Sequence, residues 1–410
     1  MEEEIAVTGI GIISALGIGV DNTLKALKTG ESGIREIEHL PTALSCFPAG
    51  EVHYSNYTLA TLLGVGMPAS LLRSALLGIA AANEAVVSSG LTEENFLRCA
   101  FVNGTTVGGM DLTEKIFGEI QDEISDKAEL LRYNDCGYCT DLIADTLGEF
   151  RMVTTTSTAC SSAANAIILG AELIRSGRVD YAVAGGTEAL SRFHLNGFNS
   201  LMILDKERCR PFGEDRAGIN LGEGSAYLVL EKRSEAERKG KRILAILKGW
   251  GNACDAYHQT ATSPEGEGAV RAMKKALEMG AVNPSEIDYI NAHGTGTPDN
   301  DIAELTAMKR IWQDKLPPYS STKVLTGHTT SASGAIESVI SILALMKGIV
   351  PGQPGNENFI DSGNAPVVST YRAERLKNVI CNSFGFGGND SSLLFSKAGE
   401  TDEREGGDGK

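Results

Sequence analysis

One cysteine of this chain, which comes after a run of small hydroxyl residues, is a candidate for a reactive side chain. Cys160 follows the run TTTST at 154–158, and an alanine-rich helical pattern begins just after it. The unpaired N–H groups and the dipole at a helix N-terminus lower the pKa of a thiol and favour the thiolate. The same N–H groups can hold the oxyanion of an acyl-transfer intermediate. A buried core cysteine is the alternative, but the small neighbours leave room for a substrate, which favours a nucleophile.

Two of the six histidines lie in glycine- and threonine-rich turns after apolar segments that we predict as strands. His293 stands in NAHGTGTP at 291–298, and His328 ends KVLTGH at 323–328. The carboxyl ends of strands are where α/β folds build their sites. A cysteine with two imidazoles indicates nucleophilic acyl chemistry, because imidazoles can hydrogen-bond to developing negative charge. For each histidine alone, a structural hydrogen bond is the alternative.

A third glycine-rich loop, NSFGFGGN at 382–389, follows the strand predicted at 379–381. Such a loop brings backbone N–H groups close to a ligand, and its central aromatic can act as a gate. The loop lacks the Gly-Lys-Ser/Thr of a P-loop. The pair Cys136 and Cys139 has no second pair and no neighbouring histidines, so we predict no zinc site.

The elements that must position these residues alternate between strand and helix, which indicates an α/β protein with mostly parallel strands. We predict strands at 5–11, 99–102, 181–184, 226–230, 243–247, 379–381 and 392–395, and helices at 71–88, 163–176, 267–279, 301–312 and 334–347. The densely charged stretch 231–242 divides the chain into two halves. We interpret it as a solvated connector, with a docking patch for an acidic partner as the alternative. The acidic tail 399–410 should be disordered.

Composition narrows the classes of function. The 410 residues carry a net charge of −16, which disfavours nucleic-acid binding. No run of 18 apolar residues is present, so we expect no membrane helix. The eight cysteines are scattered and the chain does not start like a secretory leader, so we expect a cytoplasmic protein with reduced thiols.

Taken together, the motifs resemble the β-ketoacyl-acyl carrier protein synthase family, the condensing enzymes of fatty-acid and polyketide synthesis. The stretches that carry the likeness are VTGIG at 7–11, TACSSA at 158–163, AGGTE at 184–188, RPF at 210–212, GEG at 222–224, DAYH at 255–258, HGTGT at 293–297, Lys323 with Gly327-His328, and NSFGFGG at 382–388. The resemblance implies the thiolase-like fold, in which two duplicated βαβ-type halves form five layers, α-β-α-β-α. The nucleophile half would be 1–242, and 243–398 would carry His293, Lys323 and His328.

The resemblance also implies a role for each catalytic side chain. Cys160 would accept the acyl chain as a thioester. His293 and His328 would hold the malonyl thioester carbonyl and promote decarboxylation to an enolate, which then attacks the acyl group. Lys323 would support this pair electrostatically. Two histidines, rather than one histidine and one asparagine, fit the elongating synthases.

Further positions match substrate-binding and supporting residues of the family. Thr295 and Thr297 would hydrogen-bond the phosphopantetheine arm, and Glu337 would help to order the site. Phe386 would be the gate, and its N–H would form the oxyanion hole with that of Cys160. No metal or resident cofactor is implied, since the carrier protein brings the phosphopantetheine and decarboxylation supplies the carbanion.

Departures from the family pattern concern the pathway and the partner. SASG at 331–334 replaces GAAG, GGND at 387–390 replaces GGTN, and Met202 and Leu204 stand where small or basic residues are common. These changes put housekeeping fatty-acid synthesis in doubt and raise a specialised type II polyketide system, such as an aryl-polyene pathway, as the alternative; the sequence leaves both open. The protein would dimerise with itself or with a chain-length-factor-like subunit.

The acidic carrier protein would need a local basic patch on this acidic chain. Our candidates for that patch are Arg73, Lys206, Arg208, Arg210 and 232–242. Two alternatives to an active synthase stay open. A non-catalytic chain-length subunit need not keep Cys160, His293, Lys323 and His328. A degradative thiolase would place a second cysteine in the loop 383–389, where there is none, although Cys381 lies just before it.

Overall fold

The computed structural model describes residues 3–66, 71–122, 126–313, 315–355, 358–373 and 375–399. The strands are β1 Ile5–Ser14, β2 Gly17–Ile18, β3 Cys99–Gly104, β4 Met152–Thr156, β5 Tyr181–Glu188, β6 Gly224–Lys232, β7 Ala245–Cys254, β8 Tyr289–Asn291, β9 Tyr319–Ser320, β10 Ile349–Val350, β11 Tyr371–Arg372, β12 Asn378–Gly385 and β13 Asn389–Ser396. The predicted disordered tail lies outside the described residues except for Gly399.

Helices connect most of these strands. The α-helices are α1 Val20–Thr29, α2 Asn56–Leu63, α3 Arg73–Ser89, α4 Glu93–Phe96, α5 Met110–Asp122, α6 Cys136–Leu147, α7 Ser162–Arg175, α8 Arg192–Ser200, α9 Arg233–Arg238, α10 Glu267–Gly280, α11 Pro298–Trp312, α12 Lys323–Thr326 and α13 Ser333–Lys347. A longer 3-10 helix lies at Asp126–Asn134, and single 3-10 turns lie at Pro284–Glu286, Thr330–Ala332 and Ser362–Asn364.

The main sheet repeats one strand order twice. Its order is β4-β3-β5-β6-β1-β7-β13-β12-β8-β9. If the five main strands of each half are numbered along the chain, both halves have the order 3-2-4-5-1, and the halves meet where β1 pairs with β7. This shared order confirms the predicted duplicated α/β halves. The predicted boundary at residue 242 is not decided by strand order and stays a prediction.

The helices form the other layers of the fold. α7 and α13 contact each other and lie between the two half-sheets, α7 against β3 and β5 and α13 against β6 and β12. α3 covers the outer face of β1 and β6, and α10 covers β7 and β13. The layers are therefore α-β-α-β-α, as predicted. α13 is buried along most of its length because it has a sheet on both sides.

The prediction of mostly parallel strands is wrong. Only β3–β4, β3–β5, β8–β9 and β8–β12 are parallel among the described pairs. β1 runs antiparallel to both β6 and β7, and β12 and β13 form a hairpin. Alternation of strands and helices indicates the crossover connections that join parallel strands. It does not show whether two strands that are distant in the sequence pair in a parallel or an antiparallel direction.

The charged stretch 231–242 is part of the fold rather than a solvated connector. β6 extends through Lys232, Glu231 is fully buried, and α9 follows. Arg233 pairs with Glu4 and Glu237, and Lys241 pairs with Glu231. Arg233 and Lys241 are therefore neutralised within the chain, whereas Arg242 is exposed, and the docking role of the segment stays a prediction.

Two glycines within β1 show why glycine is needed where this strand lies beside α3. A methyl group on Gly9 would lie 2.3 Å from the Ala85 carbonyl oxygen, and one on Gly11 would lie 2.0 Å from that of Ala81. β1 therefore packs directly on the helix backbone.

In the part of the chain that the structure describes, no helix is long and apolar enough to cross a membrane.

Candidate active site

A tight turn between β4 and α7 presents Cys160 at the start of the helix. Ala159, the residue before it, has the left-handed backbone angle φ 52°, which is strained for a residue with a Cβ. Ser162 holds the turn, since its hydroxyl accepts the Thr158 N–H at 2.9 Å and donates to the Ala159 carbonyl at 2.6 Å. The Cys160 side chain is buried at this turn.

Burial decides the protonation state of this cysteine. Desolvation raises the pKa of Cys160 to about 11, although the Lys323 charge and the Phe386 N–H act in the lowering direction. The net direction is therefore opposite to the lowering that a helix N-terminus alone predicts. The sequence shows that a helix starts just after Cys160, but it does not show how completely water is excluded there.

His328 lies against the nucleophile. Its Nε2 is 3.1 Å from the Cys160 sulfur, across 168 residues of sequence. The preceding residues form the single helical turn α12 and not the predicted strand, since β9 covers only Tyr319–Ser320. The backbone N–H of His328 donates to the Asn220 carbonyl at 2.7 Å, and this bond fixes the backbone that carries the ring. No partner for His328 Nδ1 is found among the described residues.

His293 is held from behind by a buried ion pair. Lys323 Nζ lies 3.2 Å from His293 Nδ1, and the same ammonium pairs with the Glu337 carboxylate. Burial and the Lys323 charge lower the pKa of both His293 and His328 well below the ordinary value, so both rings are neutral at pH 7. Burial also raises the pKa of Glu337 to about 7, against the opposing effect of Lys323.

The contacts of His293 define its tautomer. An ammonium group has donors only, so Nδ1 of His293 must accept the hydrogen bond from Lys323. In a neutral imidazole the proton then resides on Nε2, which is free to donate toward a substrate. The Lys323 ammonium thus makes His293 a donor, whereas His328 has no such partner on its second nitrogen.

Glu304 is a supporting residue that the sequence analysis missed. Its carboxylate on α11 accepts the N–H groups of His293 and Gly294 at 2.9 and 2.8 Å, and Asn382 donates to it at 3.1 Å. Burial raises the pKa of Glu304 to about 7. A carboxylate on an otherwise apolar helix face is a signal that could have identified it, since Glu304 lies among the apolar residues of the buried face of α11.

The glycine-rich loop forms the turn between β12 and β13. The Phe386 N–H donates to the Cys160 sulfur, and the Phe386 ring stacks on Phe198 at a centroid distance of 5.8 Å. The loop borders a cavity of about 420 Å³. Thr295 and Thr297, whose hydroxyls are 2.8 Å apart, line this cavity together with Cys160 and both histidines.

Sequence profiles and known proteins match the whole of this arrangement. The profile described as "Beta-ketoacyl synthase, N-terminal domain" matches residues 2–236, and "Beta-ketoacyl synthase, C-terminal domain" matches residues 244–356. The chain belongs to the β-ketoacyl synthase family. The predicted resemblance is therefore confirmed, and so is the class of acyltransferases to which the chain was assigned.

Individual relatives of this synthase cover nearly the same length. The "3-oxoacyl-[acyl-carrier-protein] synthase 2" of Vibrio harveyi is 33% identical over 97% of this chain and 100% of its own. The solved structure "The ishigamide ketosynthase/chain length factor" superimposes with a TM-score of 0.91 and 31% identity, over 97% of this chain and 100% of that one. The ketosynthase ApeO in complex with its chain length factor ApeC, from Xenorhabdus doucetiae, has a TM-score of 0.82 and 32% identity, over 97% and 98%.

The position of Cys381 bears on one alternative left open by the sequence, the degradative thiolase. Cys381 lies within β12, buried, and its sulfur faces the Ser338 hydroxyl of α13 at 3.9 Å. It is not in the group that Cys160 forms with the two histidines, so it does not supply the second cysteine of a degradative thiolase.

Two of the departures from the family pattern, Met202 and Asp390, line the cavity, whereas Ser331 and the docking candidate Arg73 are placed differently from what we predicted. The Ser331 hydroxyl, expected beside the pocket, donates to Glu188 at 2.5 Å inside the core. Arg73 is buried, with Glu223 at 2.6 Å, so it cannot meet a carrier protein. Arg210 is paired with Asp215 at 2.9 Å. Lys206 is exposed, and it follows Ile203, a residue that lines the cavity, by three positions in the sequence.

Proposed function

We propose that this synthase condenses an acyl chain bound to Cys160 with malonyl-acyl carrier protein, giving β-ketoacyl-acyl carrier protein and CO₂. The observation that carries this proposal is the contact of the buried Cys160 sulfur with His328 Nε2 at 3.1 Å. Neutral His293 lies beside both groups, and the cavity that reaches them is lined by the two threonines proposed to bind the phosphopantetheine arm.

In the loading step, the Cys160 sulfur attacks the carbonyl carbon of the incoming acyl thioester. A new carbon–sulfur bond forms, and the thiol proton moves to His328 Nε2, which lies within hydrogen-bond distance. The N–H groups of Cys160 and Phe386 stabilise the oxyanion. When the intermediate collapses, the carbon–sulfur bond to the carrier breaks and His328 returns the proton to the departing thiol.

In the condensation step, the carbon–carbon bond to the malonyl carboxylate breaks and CO₂ leaves. The electron pair forms an enolate, whose oxygen accepts the Nε2–H of His293. His328 can add a second donor, because no partner fixes its Nδ1 and its ring can take either tautomer. The enolate carbon attacks the acyl-Cys160 carbonyl, and the sulfur leaves as a thiolate. One proton taken up from solvent restores the thiol and balances the step.

The same proposal includes the partners. An acyl carrier protein delivers both substrates, and a chain-length-factor-like subunit forms a heterodimer with this chain. The names of the relatives support both parts, since they include an acyl-carrier-protein synthase and two ketosynthases described with a chain length factor. The pathway is then a specialised type II polyketide system, and a homodimer in fatty-acid elongation is the alternative. No resident cofactor or metal takes part, and the cytoplasmic location stays a prediction.

The experiment that tests this proposal is intact-protein mass spectrometry with carrier-bound acyl chains of varied length and unsaturation. We expect acyl mass on the wild-type chain and none on Cys160→Ala. His293→Ala is the matched variant, and it should load an acyl chain but release no CO₂ from malonyl carrier protein. If a folded wild-type chain, tested alone and with the candidate partner subunit, loads no donor, the proposal is wrong.

A further inference from the structure

The nucleophile and the two histidines also have the composition of a metal site. One ligand atom from each of Cys160, His293 and His328 lies within 4.8 Å of the others, and all three residues are buried. A cysteine thiolate and two imidazoles with one open position form a ligand set that suits Zn²⁺. In a tetrahedral zinc site, sulfur and nitrogen ligands are about 3.5 Å apart, and here Cys160 Sγ and His328 Nε2 are 3.1 Å apart.

The group behind His293 contradicts metal binding at that residue. A ligating histidine gives one nitrogen lone pair to the metal, and its other nitrogen donates an N–H to a carboxylate, a carbonyl or water. Nδ1 of His293 instead faces the Lys323 ammonium at 3.2 Å, which has no lone pair to accept an N–H. If Nε2 ligated a metal, an N–H on Nδ1 would point at another donor.

Among the described residues, neither nearby carboxylate relieves this conflict. The Glu337 carboxylate pairs with Lys323 itself, and its second oxygen has no hydrogen-bond partner in the part of the chain that the structure describes. Glu304 is held by the backbone N–H groups of His293 and Gly294 and by Asn382. The charge in contact with the His293 ring is the Lys323 ammonium, which repels a divalent cation. The Glu337 carboxylate offsets part of this repulsion, so the donor facing Nδ1 is the stronger of the two obstacles.

We infer that Lys323 prevents the Cys160, His293 and His328 side chains from binding a thiophilic divalent cation such as Zn²⁺. The lysine keeps the His293 proton on Nε2 and adds a like charge behind the ring. Removal of that charge would convert the three side chains into a zinc site with an open fourth position. This inference concerns ligand geometry and charge, and it holds whether or not the proposed condensation is correct.

The experiment measures metal binding by the folded, full-length protein. Cobalt(II) is the spectroscopic probe for Zn²⁺, because a thiolate ligand adds a charge-transfer band to the spectrum. Cys46 and Cys254 are exposed thiols and would bind metal on their own. All variants therefore carry Cys46→Ser and Cys254→Ser, and this background protein is the control.

Lys323→Met removes the charge with little change in side-chain length. We expect it to bind Co²⁺ and Zn²⁺ at least tenfold more tightly than the background protein, with a thiolate band that disappears when Cys160→Ala is added. Lys323→Met combined with Glu337→Gln leaves no unpaired buried carboxylate, so it guards against misfolding of the single variant. Circular dichroism and thermal unfolding confirm that each variant is folded.

A second measurement needs no substitution at Lys323. Iodoacetamide alkylation of Cys160 in the background protein should proceed at the same rate with and without micromolar Zn²⁺. The inference is wrong if Zn²⁺ protects Cys160 at that concentration. It is also wrong if the folded Lys323 variants bind metal no more tightly than the background protein.

Discussion

At the scale of single residues, the two active-site histidines differ although their sequence contexts are alike. Both are buried, both lie next to glycine- and threonine-rich stretches, and burial together with Lys323 lowers the pKa of both. Only His293 has an ammonium on Nδ1, and only His328 contacts the Cys160 sulfur. The sequence therefore predicts two catalytic imidazoles. The different contacts at Nδ1 give the two rings different hydrogen-bonding roles.

The raised pKa of Cys160 predicts how its alkylation depends on pH. Because the thiol keeps its proton until the pH approaches 11, the rate with iodoacetamide should rise about tenfold per pH unit from 7 to 10. Peptide mass spectrometry measures this rate site by site. The exposed thiol of Cys46 is the internal control, and at pH 7 it should react faster than Cys160 because solvent reaches it. If Cys160 levels off below pH 8, it is not governed by burial.

Glu304 should affect condensation more than loading. Glu304→Gln replaces one carboxylate oxygen with an amide that faces a backbone N–H, so the His293–Gly294 segment must shift. We expect kcat for condensation to fall about tenfold, equivalent to about 1.4 kcal/mol. Acyl loading of Cys160 should change less than twofold. Equal losses in both steps would contradict a role that acts through His293.

At the scale of elements, one buried ion pair joins segments that are distant in the chain. Arg73 at the start of α3 pairs with Glu223, whose carboxylate also accepts the N–H groups of Val52 and Leu190 at 2.9 and 3.0 Å. Glu223 immediately precedes β6. This pair ties α3 and the segment before β6 to the loops that precede α2 and α8. Its removal should therefore reduce stability rather than carrier binding.

Arg73→Met leaves the Glu223 carboxylate buried without its counterion. We expect the free energy of unfolding to fall by about 3 kcal/mol, measured by urea denaturation, with KM for carrier-bound substrate unchanged in the folded protein. Arg98→Met is the matched control, because its pair with Asp180 is exposed. That substitution should change the free energy of unfolding by about 0.5 kcal/mol or less. An increased KM for Arg73→Met would restore Arg73 to the docking surface.

At the scale of the whole molecule, few of the predicted basic residues are free to meet a carrier protein. α9 and its neighbours lie at the Ile5–Lys232 end of the β1–β6 pair, while the Ser14–Gly224 end faces the site. A strand of nine residues separates these ends by roughly 26 Å. Lys206 is exposed near the cavity, so it is the strongest remaining candidate.

Charge reversal at Lys206 tests this docking surface. Lys206→Glu should raise KM for carrier-bound substrate about fivefold at low salt, and the difference should shrink at high salt because exposed charges are screened. A small carrier-free thioester should react at an unchanged rate. Arg98→Glu, just before the end of β3 that is farthest from Cys160, is the matched control and should leave KM unchanged. An unaltered KM for Lys206→Glu at both salt concentrations would remove Lys206 from the interface.

The sequence by itself determined the family, the duplicated α/β organisation and the residue types of the site. These features are encoded locally, in short motifs such as TACSSA and HGTGT and in the periodicity of strands and helices. Tertiary structure decided the protonation of Cys160, the tautomer of His293 and the burial of Arg73. Each of these depends on which distant groups meet, as Cys160 and His328 do, and on how much water they exclude. The local sequence does not specify which distant groups meet or how much water they exclude.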